Sequence, residues 1–199
     1  MTTILQINSA ARAAGQSTQL ATELSQKLLA KNPGSQLIVR DLLAQPLPHL
    51  DDALLGSFFT PDAQRDEKQR ELVATSDILI AEIKAADIVV IGAPLYNFGI
   101  STQLKAYFDH IARAGETFAY GPAGPDGFLK GKTAYVALTR GGLYQGTPAD
   151  IQTAHVTTFL NFLGIADIRL VFAEGLAMGE ESARAGVQRA QRQIESMSA

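Results

Sequence analysis

Short apolar runs alternate along this chain with longer stretches in which apolar residues recur every three or four positions. The runs are Ile4-Leu5-Gln6-Ile7, Leu37-Ile38-Val39, Asp87-Ile-Val-Val-Ile-Gly92, Thr133-Ala-Tyr-Val-Ala-Leu138 and Ile168-Arg-Leu-Val-Phe172. The third is continuous and β-branched, the pattern of a strand buried on both faces. Leu20, Leu24, Leu28 and Leu29 lie at helical spacing, and Asn32-Pro33-Gly34 stops that helix. Residues 64–84 read as a second helix with Leu72, Leu79, Ile80 and Ile83 as its apolar positions. A third carries Leu104, Phe108 and Ile111, with Ser101 or Thr102 as N-cap. Residues 154–163 form a fourth, ending at Gly164. The fifth starts near Glu180 and places Ala183, Val187, Ala190 and Ile194 on one side. Leu47 to Pro61 reads as an irregular or short helical excursion, and Gly115 to Lys132 as an extended loop rich in Gly and Pro.

Five strands alternating with five helices predict a parallel sheet with helices on both faces. With 199 residues and no linker or repeat, a single domain over 1–199 is expected. Of the two common doubly wound orders, the five-strand count favours the flavodoxin-like one. The dinucleotide type wants G-x-G-x-x-G after the first strand, and Ser9-Ala-Ala-Arg-Ala-Ala-Gly15 does not match. A formal charge of -3 and a pI of about 5.6 argue against nucleic acid and anionic membrane as partners. Cys is absent, which removes disulfides, thiolate nucleophiles and cysteine metal sites. No signal peptide is apparent at Met1 to Asn8, and the longest near-apolar run, Ile88 to Tyr96, is too short to span a bilayer. A cytoplasmic protein is the expectation.

Three loops follow the carboxyl ends of predicted strands, where an open α/β sheet binds its ligand. In the first, Ser9, Ser17 and Thr18 supply hydroxyls, Gly15 permits a close fold, and Gln16 to Gln19 expose amides at a helix start. Such a terminus holds phosphate, and Arg12 adds charge from the side. In the second, Pro94 fixes the backbone, Leu95, Tyr96 and Phe98 offer apolar and aromatic surface, and Asn97 offers an amide. In the third, Thr139-Arg140-Gly141-Gly142, paired glycines let backbone approach a planar ring, and their amides, helped by Arg140, would stabilise negative charge on it. Hydroxyls for a phosphate and aromatic, glycine-rich loops for a flat ring together suit flavin mononucleotide. Each loop taken singly is also consistent with capping, core packing or a bare turn.

Pro94-x-Tyr96-Asn97-Phe98, Ile100-Ser-Thr-Gln-Leu-Lys105, Ala112-Arg-Ala-Gly-Glu-Thr-Phe118, Arg140-Gly-Gly142 and Phe172-Ala-Glu-Gly175 carry a family likeness that spans nearly the whole chain. The chain resembles the bacterial FMN-dependent NADH-azoreductases of the flavodoxin-like NAD(P)H:quinone oxidoreductase superfamily. The resemblance implies a homodimer with tightly bound FMN at the subunit interface. It carries FMN contacts to Ser9, to Gly15, Gln16 and Ser17, to Leu95, Tyr96, Asn97 and Phe98, and to Thr139, Arg140, Gly141 and Gly142. Family members often have Met at position 95, Ser at 139 and Ser at 15; only the last change removes a possible phosphate hydroxyl. Phe98, Tyr120 and Phe162 are the candidate substrate pocket, and Phe162 equally suits a core role beside Phe159.

What the resemblance implies is a ping-pong oxidoreductase. NADH, with NADPH not distinguished from it, reduces the flavin, and an azo dye or quinone then takes two electrons. No catalytic side chain and no metal are required. A quinone reductase with incidental azo activity and a flavodoxin-type electron carrier are the alternatives; the modest charge speaks against the carrier, which would dock electrostatically. Gly131-Lys132-Thr133 mimics the end of a P-loop but precedes a strand. His49, His110 and His155 show no metal spacing, and residues 65–71 read as a solvated helix face.

Overall fold

The structure, a computed structural model, describes residues 1–122 and 124–197. The five predicted runs become β1 (Thr3–Asn8), β2 (Gln36–Asp41), β3 (Ile88–Pro94), β6 (Thr133–Thr139) and β7 (Asp167–Ala173), paired in parallel in the order β2-β1-β3-β6-β7. Counting only these strands, the order is the flavodoxin-like 2-1-3-4-5. Alternation along the strands feeds two cores. Leu5, Ile7, Val89, Ile91, Val136 and Leu138 face one way, onto Leu79 and Ile83 of α3 (Glu67–Ala85) and Leu104, Tyr107 and Phe108 of α4 (Thr102–Ile111). Ile4, Val90, Tyr135, Ala137 and Val171 face the other, onto Leu20 and Leu24 of α1 (Gln16–Lys31) and Ala190 and Ile194 of α6 (Glu180–Met197). Helices therefore cover both faces, as the apolar β3 run required.

Helix starts are set by short polar side chains. Asp66 accepts from Gln69 N at 2.8 Å while the Gln69 side chain accepts from Asp66 N at 3.1 Å, so α3 begins at Glu67 rather than at residue 64. Ser101, of the two candidates, caps α4 by accepting from Leu104 N. Two features depart from the sequence-based expectation. The Leu47–Pro61 excursion holds a real helix, α2 (Asp52–Phe59), capped by Asp51, and a 3₁₀ turn follows at Asp62–Gln64. The described residues thus carry six α-helices, with α5 at Ile151–Phe162. The expected extended loop at 115–132 contains an antiparallel hairpin, β4 (Phe118–Gly121) with β5 (Gly124–Gly127). Among the described residues no helix is long and apolar enough to cross a membrane.

Two glycines fix how closely layers approach. A Cβ on Gly92 of β3 would lie 2.8 Å from the carbonyl oxygen of Ser17, so only glycine lets the first turn of α1 sit on the sheet edge. A Cβ on Gly186 of α6 would come within 2.1 Å of the Glu174 carbonyl oxygen, just beyond β7. Backbone cannot yield there as a flexible side chain would. Gly186→Ala is therefore expected to cost about 1–3 kcal/mol by overpacking, read as a lower urea midpoint with unchanged slope.

Candidate active site

β1 and β3 are neighbours, but the chain leaves β1 toward β2 on one side and leaves β3 toward β6 on the other. Their carboxyl-end loops diverge and open a crevice at this switch point. The cleft there is lined at one end by Ala10, Arg12, Gly15, Gln16 and Ser17, and at the other by Pro94, Leu95, Tyr96, Thr139, Arg140 and Gly141. Three loops distant in sequence thus meet, and they are bonded together. Leu95 N donates to Thr139 O at 2.8 Å, and the Tyr96 hydroxyl accepts from Ala11 N at 3.2 Å.

The first loop has the features of an anion site. α1 starts at Gln16 with no side-chain cap and no acidic residue in its first turn, whereas α2 to α5 each receive an Asp or Ser cap. Its first amides lack acceptors within the helix. Ser17 Oγ is fully buried without a hydrogen-bond partner, on the cleft wall. A buried hydroxyl left unpaired costs about 1–3 kcal/mol, so an acceptor arriving in the cleft would gain at this point. Gly15 is dictated by space: a Cβ would lie 2.5 Å from that of Ala10. Ser9 sits behind the wall, fully buried, donating from Oγ to Gly92 O at 2.7 Å and so tying β1 to β3.

In the second loop, Tyr96 N donates to Gly99 O and Gly99 N to Tyr96 O, both at 3.0 Å. The two residues between them, Asn97 and Phe98, have φ of 49° and 65°. Asn tolerates this left-handed conformation; Phe does so at a cost of about 1–2 kcal/mol. That strain displays the Phe98 ring, half exposed, beside the cleft mouth rather than on its wall.

The third loop corrects one expectation. Arg140 does not face the cleft with its charge. Its side chain is buried, and the guanidinium reaches Asp150 Oδ1 at 2.7 Å, Glu174 Oε1 at 3.1 Å, Gln152 Oε1 at 3.1 Å and Thr153 Oγ1 at 2.6 Å. It also lies over the Phe172 ring. Four of its five N–H groups have partners within the fold, so its charge is already met by Asp150 and Glu174. The glycines differ too from expectation: a Cβ on Gly141 would meet Ala177 at 3.2 Å, and one on Gly142 the Tyr144 ring at 3.0 Å. Gly142 lies behind Tyr144, which stands edge-on to Phe98.

Sequence reasoning missed a fourth wall. Leu176 and Ala177, after β7, line the cleft, and Gly175 N, Leu176 N and Ala177 N bond Gly142 O, Arg140 O and Gly141 O. The positive φ of Gly175, 75°, turns the chain into this strap; the Phe172-Ala-Glu-Gly175 motif was its only sequence signal. Tyr120 and Phe162 are not brought to the cleft. Tyr120 is 75% exposed, and both pack on Phe118. Phe162 belongs to an exposed apolar face on α5 with Ile151, Ala154, His155 and Phe159. Among the described residues no group of three or more His, Asp or Glu could hold a metal. His110 is buried beside the Pro48 carbonyl, and desolvation holds its pKa below the usual value.

Burial alone would raise the Asp150 pKa, but hydrogen bonds from Arg140 and Thr153 outweigh it and the carboxyl ends below its usual value. Its pairing thus contributes stability above about pH 4, the unfolded value, which is lost as pH falls through the lower folded value. Arg140→Met strands two buried carboxylates and should cost about 3–5 kcal/mol. Urea midpoints across pH 3 to 7 check both points, since the acid-side loss due to Asp150 should shrink in the variant.

The profile of the family described as flavodoxin-like fold matches residues 2–197. An FMN-dependent NADH:quinone oxidoreductase of Paraburkholderia phymatum is 61% identical over 188 residues, covering 94% of this chain and 95% of that protein. One from Burkholderia thailandensis is 60% identical over 184 residues, 92% of this chain and 93% of that one. The crystal structure of an azoreductase from Bacillus anthracis superposes with a TM-score of 0.90 at 26% identity, covering 100% of this chain and 99% of that chain. With the 2-1-3-4-5 sheet, its switch-point crevice and a match over nearly the whole sequence, this chain belongs to the flavodoxin-like fold family.

Proposed function

We propose that this protein is an FMN-dependent NADH oxidoreductase that reduces quinones and azo compounds, through one site on one domain spanning 1–199. The observation that carries the reading is the uncapped α1 terminus with the orphaned, buried Ser17 hydroxyl at the phosphate end of the cleft. That donor set fits a flavin phosphate. Relatives about 60% identical named for quinones, and a neighbour named for azo compounds, support the chemistry. FMN, when bound, supplies the redox chemistry, accepting a hydride equivalent from the nicotinamide and passing two electrons to the acceptor.

The chain's own residues bind and orient. The Gln16, Ser17 and Thr18 amides and the Ser17 hydroxyl hold the phosphate, with Arg12 adding positive charge at the cleft wall. Leu95, Tyr96 and Thr139 wall the ring, and the Gly141 and Gly142 amides, which form no hydrogen bond among the described residues, remain free to meet negative charge at its edge. Leu95 N is committed to Thr139 O, so position 95 acts through its side chain and carbonyl. Asn97 positions Phe98 in the strained turn, and Phe98 flanks the acceptor. Greater identity to quinone-named relatives favours quinones as the main acceptors.

A homodimer is part of the reading. The α5 face, Phe98 and Tyr120 leave apolar surface exposed, which a second copy would cover. A second copy seated there would bring its Tyr120 and Phe162 to the ring end. The expected location is the cytoplasm.

Ser17→Ala should weaken FMN about tenfold or more, the worth of a hydrogen bond to a charged group, in a fluorescence titration of flavin-free protein. Initial rates with NADH varied at several quinone concentrations should give parallel reciprocal lines; intersecting lines would contradict a shared site. Light scattering at micromolar protein should give twice the 21.2 kDa chain mass, and a monomer would remove the second copy from the account.

A further inference from the structure

The connection from β2 to α3 is lightly anchored. Of the residues of α2 only Leu54 and Ser57 are buried, while Leu55 and Phe59 face outward. Its attachment to α4 centres on His110, which is fully buried. His110 Nε2 lies 3.1 Å from the carbonyl oxygen of Pro48, in the stretch that leads into α2. A carbonyl can only accept, so Nε2 carries the proton and Nδ1 is the bare nitrogen. Nδ1 is buried with no hydrogen-bond partner among the described residues. Phe58 of α2 stands edge-on to the imidazole, with 6.3 Å between ring centroids, and the Arg113 guanidinium lies 5.2 Å from the centre of that same Phe58 ring.

The acids around this histidine are engaged or exposed. On α4 itself Asp109 is paired with Lys105. On α3 Asp77 is held by Arg113, which also donates to Ser76 Oγ, the hydroxyl that bonds the His110 carbonyl. Asp51 caps α2 through Leu54 N, Asp52 is exposed beside it, and Asp62 is paired with Arg65. His49, next to Pro48, is exposed. A second proton on His110 would therefore create a buried charge and an unpaired donor with a guanidinium on the far side of Phe58, which is costly on both counts.

We infer that His110 is an acid-released latch, whose protonation frees residues 47–59 from the α3–α4 layer while the sheet and its cleft stay folded. None of residues 47–59 lines the cleft, so the inference is independent of the flavin reading. In the open state the imidazole meets water and titrates near its ordinary value of about 6.5. In the closed state desolvation outweighs the Pro48 bond and the Asp109 charge and holds the pKa below that value. Closure is thus fully favoured above about pH 6.5 and is lost progressively as pH falls toward the lower, closed-state value.

Hydrogen exchange on the whole chain at pH 7.5 and pH 5.5 tests the latch, with each rate referred to that of unstructured peptide at the same pH. Amides of residues 55–59 are expected to lose about tenfold in protection at the lower pH, the effect of one proton taken up on opening, while those of β1, β3 and α1 keep theirs. His110→Gln retains a donor for the Pro48 carbonyl but cannot titrate, and should abolish the step. Phe58→Leu weakens the edge contact and should lower protection at both pH values with the tenfold ratio kept. Equal protection at the two pH values in the wild type overturns the latch, as does a loss spread evenly over the sheet. A step that persists in His110→Gln also overturns it, because the proton is then taken up elsewhere, at His49 or His155.

Discussion

A buried guanidinium organises the Thr139–Gly142 end of this cleft. Arg140 leaves the end of β6 and joins the start of α5, through Asp150, Gln152 and Thr153, to the end of β7, through Glu174. Glu174 in turn accepts from Tyr144 N and Gln145 N, both at 2.8 Å, and Gln152 donates to Ala93 O of β3. The ends of β3, β6 and β7 and the start of α5 are thus fixed together by one charge network. Taking these charges out of water is expensive, and the cost is offset only because each carboxylate is met by Arg140 or by oriented amides. The network gains position rather than raw stability: the loops of the cleft are held by groups that never enter it.

Strain and an unpaired buried donor complete the arrangement. Phe98 is held in a left-handed turn by paired hydrogen bonds, and Ser17 is buried without a partner. Neither would persist by local preference alone. Both lie at the crevice, where backbone strain and unsatisfied donors in folded proteins concentrate because they act on a ligand. The cleft is therefore preorganised: its α1 end presents an unpaired donor, and its Thr139–Gly142 end is pinned from behind.

Much of this was legible in the sequence. The five parallel strands announced themselves through continuous apolar runs, and the three loops at their carboxyl ends through glycine, proline and hydroxyl residues. The hairpin was not legible, because Gly124-Pro125-Asp126-Gly127 has no strand-forming residue and is held by packing on the end of α5, where a Cβ on Gly127 would lie 2.1 Å from Leu163. α2 was obscured by its length of eight residues and by Leu55 and Phe59 facing outward. Arg140 was misplaced because an arginine in a ligand loop reads as facing the ligand; its partners, ten and thirty-four residues away, are visible only in the fold. Leu176 and Ala177 carry no chemical signal, since they wall the cleft by shape.

The central claim is that one cleft holds a flavin that NADH reduces and an organic acceptor reoxidises. The most direct measurement is anaerobic mixing of FMN-loaded protein with NADH while following the flavin's visible absorbance. Rapid bleaching, reversed on adding a quinone or azo dye, is the predicted result. Flavin that stays oxidised with NADH present would contradict the account and leave the protein a carrier of electrons delivered by another.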